Sequence, residues 1–140
     1  MAVTGDNRLS RMLHMLIHIH LHDGAATSQT ISKMLGTNPV VVRRMMAGLR
    51  DGGYVKATKG PGGGWRLARA PEEITILEVH RALGEPALLA TTIHGEHPGC
   101  PVERSVNATL ANVLSEAEAA IVARYKDITL ADIVGGIETD

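Results

Sequence analysis

Three groups of side chains in this 140-residue chain carry chemistry. The single cysteine, Cys100, stands in the phrase HPGCPV, with His94 and His97 before it in an HxxHxxC pattern. Imidazole and thiolate are the usual ligands of zinc and iron. His14, His18 and His22 recur at i, i+4 and i+8, so a helix would align them on one face and let two share an ion. Histidines on a helix face also serve as plain surface or interface residues. Cys100 precedes Pro101, a residue favoured at the first position of a helix. A thiol at a helix N-terminus can have a lowered pKa and react with oxidants; buried in apolar surroundings it is inert. The third group is cationic: Arg43 and Arg44, near Asn38 and Val40.

Other chemistries lack their residues. No Ser/His/Asp constellation, paired-carboxylate arrangement or phosphate loop is visible, and KGPGGG lacks the Lys-Ser/Thr ending that a phosphate loop needs. An enzyme is not expected.

The elements that position these residues centre on residues 27–67. Ser28 reads as a helix cap, Ile31, Met34 and Leu35 recur at helical spacing, and Gly36 ends the helix. Asn38 then Pro39 reads as an N-cap and first helical residue. Val41, Val42, Met45, Met46 and Leu49 form the inner stripe of this second helix, stopped by Gly52 and Gly53. Tyr54 and Val55 open a strand, Trp65 and Leu67 lie in a returning one, and residues 59–64 must turn between them. Helix, turn, helix and hairpin is the order of a winged helix-turn-helix.

Before this stretch, residues 1–7 read as a loose start and 9–21 as an amphipathic helix built on Leu9, Leu13, Leu16 and Ile17, widened by Met12, Met15 and Ile19. After it, Pro71 breaks the second strand. Residues 74–83 read as a fourth helix with Thr75 as cap and Ile76, Leu77, Val79, Ala82 and Leu83 inside. Residues 84–98 read as a loop with at most a short helical turn. A helix of residues 101–125 carries a stripe of Val102, Val106, Leu110, Val113 and Leu114. It is too long for a domain of this size to cover, which suggests a dimerisation element. Residues 129–134 read as a short last helix, with fraying from Gly135. The expected fold is mainly α with a small β-wing: a winged helix-turn-helix domain (1–84), a sensor-type loop (85–100), and a dimerisation helix with a short C-terminal helix (101–140).

Bulk properties agree. Phe is absent and aromatics make up 2%, so the core must come from Leu, Ile, Val, Met and Ala. The net charge is −1, yet residues 33–69 hold eight Lys/Arg against one acid, Asp51. Such a split fits an anionic partner at one face. No signal peptide or membrane-length apolar run is visible, so cytoplasmic residence and no membrane partner are expected. One cysteine excludes an intrachain disulfide; a two-fold dimer would bring two such thiols.

The wording GPGGGWRLARAPEEITILEVHRAL, with the late TLADI, resembles the Rrf-two family of bacterial transcription regulators, to which the iron–sulfur cluster regulator and the nitric-oxide-sensing repressor belong. The resemblance spans nearly the whole chain. It implies a homodimeric winged helix-turn-helix regulator, joined by its long helix and bound to double-stranded DNA at a partly palindromic operator. Many members hold an iron–sulfur cluster on three loop cysteines. This chain has one cysteine, so it is similar to the subgroup without that set, and thiol or metal response is left to Cys100 and the histidines. The donor set His94, His97, Cys100, His14 and His18 is compatible with a zinc or iron ion or an atypical cluster with few cysteines, and the resemblance implies a way to assemble it, since in some members of the family first-helix residues reach the partner's sensor loop.

For DNA, the second helix of a helix-turn-helix lies in the major groove. Asn38, Val40, Arg43 and Arg44 are the positions at its exposed start. Arginine can bond a guanine edge in bidentate fashion and valine can meet a thymine methyl. Arg43 is the first choice for base readout, while Arg44 can equally meet phosphate. Ser28, Gln29, Thr30 and Thr37 can donate to phosphates. Lys59 leads into the wing tip, where Gly62, Gly63 and Gly64 either let the backbone approach DNA or only make the turn. Trp65 is read as a packing residue rather than a base-stacking platform. The alternative function is a winged-helix protein-interaction module without specific DNA binding.

Overall fold

The computed structural model describes residues 6–89 and 95–137. The expected loose start therefore lies outside the described residues apart from Asp6 and Asn7. The elements run α1 (Arg8–Leu21), α2 (Ser28–Leu35), α3 (Pro39–Asp51), β1 (Val55–Thr58), β2 (Gly64–Leu67), α4 (Ile76–Ala82), α5 (Pro101–Asp127) and α6 (Leu130–Gly135). The mainly α winged helix-turn-helix expected from the sequence is the observed architecture.

Helix α1 buries Met12, Met15, Leu16, Ile17 and Ile19, a stripe at 3.6-residue spacing. It packs on Ile31 of α2, on Val42, Met46 and Leu49 of α3, and on Val55 of β1 in one cluster of buried residues. With no phenylalanine available, methionine and branched aliphatics fill this space, as methionine's flexible side chain allows.

The cap of α2 corrects the sequence reading. Thr27, not Ser28, is the N-cap: its hydroxyl accepts the Thr30 N–H at 3.0 Å. Ser28 is the first helical residue, and its hydroxyl is turned to another use described below. Gly36 closes α2 in the left-handed region, φ 65°, which glycine adopts without a Cβ clash. Asn38 caps α3 by accepting the Val41 N–H at 3.1 Å, with Pro39 next.

The wing is an antiparallel pair in register Val55↔Leu67 to Thr58↔Gly64. A third segment joins it: Ala26 N–H donates to Trp65 O at 3.0 Å and Trp65 N–H to Ala26 O at 2.7 Å. A Cβ on Gly64 would lie 2.6 Å from the Ala26 oxygen, so this close crossing of two backbones requires glycine.

After the wing, a 3-10 turn at Pro71–Glu73 precedes α4. The sequence reading begins the helix at 74, two residues before its first helical residue Ile76, because Ile74 is as apolar as the helix itself. Thr75 and Glu78 form a capping box. Ile76, Leu77 and Val79 are buried as expected, Ala82 and Leu83 only half so, and His80 is buried although it was not expected.

Helix α6, capped by Thr129 and Asp132, returns to the start of α4. Ile76 N–H donates to Ile128 O and Leu130 N–H to Ile74 O, both at 2.9 Å. Leu130 is fully buried in the same cluster as α1. The expected fraying beyond Gly135 concerns residues mostly outside those described; Gly136 still donates to the Asp132 and Ile133 carbonyls.

Between these anchors runs α5, 27 residues and about 40 Å long. Glu103 is its only buried residue. Val102, Val106, Leu110 and Val113 are 71%, 50%, 40% and 57% exposed. Among the described residues, no helix is long and apolar enough to cross a membrane.

Candidate nucleic-acid interface and sensor loop

Helix α3 is held from beneath by Val42, Met46 and Leu49, all fully buried. The opposite face carries Val40, Arg43 and Arg44, all exposed. The 3.6-residue period that buries one set therefore presents the other. Among the described residues, no ion pair engages Arg43, Arg44 or Lys59. Their cationic heads remain open to an anionic partner. Asn38 is exposed; its Oδ1 is taken by the cap, which leaves the amide N–H groups to donate.

Helix α2 offers smaller donors. The Ser28 hydroxyl accepts the Trp65 indole N–H at 3.0 Å and keeps its own proton to give. Gln29 is exposed. The Thr30 hydroxyl accepts from the Thr27 hydroxyl at 2.9 Å. Thr37 is half-buried, and its N–H closes the turn onto Ser32 O at 2.9 Å.

At the wing tip Lys59 and Gly62 are exposed. Gly63 is engaged in the turn itself: its N–H donates to Gly60 O at 2.9 Å, and a Cβ there would meet Thr58 O at 2.5 Å. Trp65 is half-buried against the core and tied to Ser28, the arrangement of a packing residue.

The loop before α5 is built on backbone bonds. Cys100 N–H donates to His97 O at 2.9 Å, and Cys100 O accepts the Arg104 N–H at 3.0 Å. The thiol is free and half-buried. Glu103, buried, accepts the His97 N–H at 2.7 Å. The sequence reading missed Glu103, although an acid in the first turn of a helix is a position the helix dipole favours. His94 lies outside the described residues.

On α1, His14 and His18 do meet: their Nε2 atoms are 2.9 Å apart and the rings 4.6 Å between centroids. His22 does not join them, because α1 ends at Leu21 and the His22 Nδ1 sits 3.3 Å from Gly24 O. The His18 pKa is lowered from its ordinary value, first by burial and then by the charge of His14. Among the described residues, no three of His, Cys, Asp and Glu converge as a metal site. Within one chain the first-helix histidines and Cys100 are therefore not brought together. A groove of about 780 Å³ lies beside the pair, lined by Leu9, Leu13, Ile17, Ile76 and Ile133 among others.

Comparison with known proteins gives this arrangement a family. The profile of the Rrf2 family, described as an iron-dependent transcriptional regulator, matches residues 6–136. The chain is 29% identical over 129 residues to the protein YwnA of Bacillus subtilis (strain 168), covering 92% of this chain and 96% of that one. It is 30% identical over 139 residues to the HTH-type transcriptional regulator IscR of Erwinia tasmaniensis, covering 99% and 81%. Among solved structures, T. potens IscR superposes with a TM-score of 0.69 at 20% identity, covering 99% of this chain and 95% of that one, a likeness of fold.

The iron in the family's description finds no three-thiolate set here, since Cys100 is the single cysteine. A cluster that needs three cysteine ligands does not fit these residues. What the chain keeps is the capped helix-turn-helix, the glycine-tipped wing and the long α5, and with them it belongs to the Rrf2 family of helix-turn-helix transcription regulators, DNA-binding proteins rather than enzymes.

Proposed function

We propose that this regulator acts in the cytoplasm as a homodimer on a partly palindromic operator. The uncovered apolar row of α5 carries this reading. Four exposed aliphatic side chains on one long helix are a surface that soluble chains cover. A second copy, aligned about a two-fold axis, covers both rows with the same contacts. The groove beside α1 adds further apolar area to such an interface.

In this reading residues 1–84 bind DNA, residues 85–100 carry the sensing loop and α5 joins the protomers. Arg43 reads a base edge, with Val40 and Asn38 beside it. Arg44 and Lys59 meet phosphates, as do the donors Ser28, Gln29 and Thr37. Gly62 and Gly63 keep the wing tip slim enough to approach the backbone. Cys100 is the thiol through which oxidation changes DNA affinity. Its support is its place at the hinge between loop and α5.

Sedimentation equilibrium of the full chain, beside Leu110→Glu, tests the dimer. Wild type should sediment at twice the protomer mass. The variant should sediment as a protomer with unchanged helical circular dichroism, because position 110 is exposed in the single chain. A monomeric wild type would overturn the dimer. Fluorescence anisotropy on promoter DNA, reduced and oxidised, with Cys100→Ser as control, tests the thiol.

A further inference from the structure

The contact between His14 and His18 is not explained by the DNA interface, the α5 row or the thiol. Two imidazoles four residues apart point their Nε2 atoms at each other across 2.9 Å. Without a ligand, one nitrogen must donate a proton and the other accept it. Protonating both would place two like charges at contact. The rings sit at the rim of an open groove large enough for a cation with its waters.

We propose that His14 and His18 form a two-histidine site for a borderline divalent cation, zinc(II) being the type case. Zinc–nitrogen bonds of about 2.0–2.1 Å in tetrahedral geometry separate two ligand atoms by roughly 3.4 Å. The pair needs to open by a few tenths of an ångström, within the reach of a side-chain rotation. On binding, the shared proton leaves the Nε2–Nε2 axis by moving to Nδ1 of the donor ring, so two neutral imidazoles coordinate through Nε2. Water fills the remaining positions. Asp6, which lines the same groove, is not a ligand: its carboxylate is taken by the Arg8 guanidinium at 2.6 Å.

The site stands on α1 alone, whatever fills the groove. Its consequence rests on the dimer reading: if the partner's α5 packs there, a cation at the rim sits beside the interface. A site of this kind differs from a cysteine cluster in donor type, and it leaves Cys100 free.

Isothermal titration of zinc(II) into the full-length apo protein decides the matter, with His14→Gln, His18→Gln, Cys100→Ser and His20→Gln in parallel. Wild type, Cys100→Ser and His20→Gln should each bind one zinc per protomer with similar affinity. Each of the first two variants should weaken binding at least about tenfold, since even outer partners of ligands cost 10–100-fold. Imidazole nitrogen NMR of the wild type gives a readout independent of any variant: the His14 and His18 Nε2 signals should shift together on titration. No zinc uptake by wild type, binding retained in both glutamine variants, loss in Cys100→Ser, or unmoved Nε2 signals would each overturn the site. Dimer mass is read separately by sedimentation, so failure of the dimer reading is distinguishable from failure of the site.

Discussion

The indole N–H of Trp65 donates to the hydroxyl of Ser28 at 3.0 Å, across 37 residues of chain. The bond ties the wing's return strand to the first turn of α2. Its neighbour bonds, between Ala26 and Trp65, make the same joint in backbone. The wing is thereby set relative to the helix-turn-helix before any DNA arrives. Replacing Trp65 with Phe keeps most of the ring and removes the donor; we expect a loss of about 0.5–1.5 kcal/mol in urea denaturation from the hydrogen bond. Ser28→Ala should cost a similar amount, and the double variant should cost less than the two singles added together. Additive losses would show that the bond contributes nothing.

Arg43 and Arg44 are adjacent and both exposed, yet the two variants should behave differently. Arg43→Ala should weaken binding to the promoter by about 1–3 kcal/mol, roughly 5- to 150-fold, and relax base preference at one position. Arg44→Ala should weaken specific and random DNA alike and reduce the slope of log affinity against log salt by about 0.9. Anisotropy titrations at several salt concentrations on both DNAs separate the two. Equal effects on both DNAs from Arg43→Ala would assign it to phosphate instead.

Leu130 lies beyond α5 in sequence but fully inside the winged core. Leu130→Ala should destabilise the domain by about 2–5 kcal/mol, a large part of the 5–15 kcal/mol typical of a native domain. Hydrogen exchange should show the loss at α1 and α4 as well as at α6. Loss confined to α6 would mean that the last helix is only laid against the domain.

The lowered His18 pKa has a defined sign in stability. The folded chain resists protonation that the unfolded chain accepts near the ordinary value of 6.5. The contribution is therefore complete above that pH, declines as pH falls from it through the lower folded value, and is absent below. Thermal midpoints from pH 8 to 5 should fall less steeply in His18→Gln than in wild type. Parallel curves would remove His18 from the acid response.

Much of this was legible in the sequence because the signals were local. Asn38-Pro39, Gly36 and Thr75 name helix ends through bonds that span at most four residues. The stripe Val42, Met46 and Leu49 needs only the helical period. What escaped reading depends on distant chain. Ser28 reads as the cap until Trp65 is placed against its hydroxyl and Thr27 takes the cap instead. His80 has no place in the apolar stripe of its helix, and its burial shows only once Tyr125 of α5 lies 6.2 Å from it between ring centroids. The necessity of glycine at 64 is invisible without Ala26. In the candidate site, the His14–His18 contact followed from spacing alone, while His22 was lost because the helix stopped one residue short of it.

The two backbone bonds that join residues 74–76 to residues 128–130 fix one end of α5 to the winged domain. The other end, some 40 Å away, carries Cys100 and the loop. If such a rod moves as a rigid body, the two bonds make Ile128 its fulcrum. A tilt of about 4° at the fulcrum sweeps the far tip through nearly 3 Å, by the length of the rod. Run in reverse, a displacement of a few ångströms at the thiol end arrives at the base of the winged domain as a small rotation, at the point where α4 and α6 are stitched together.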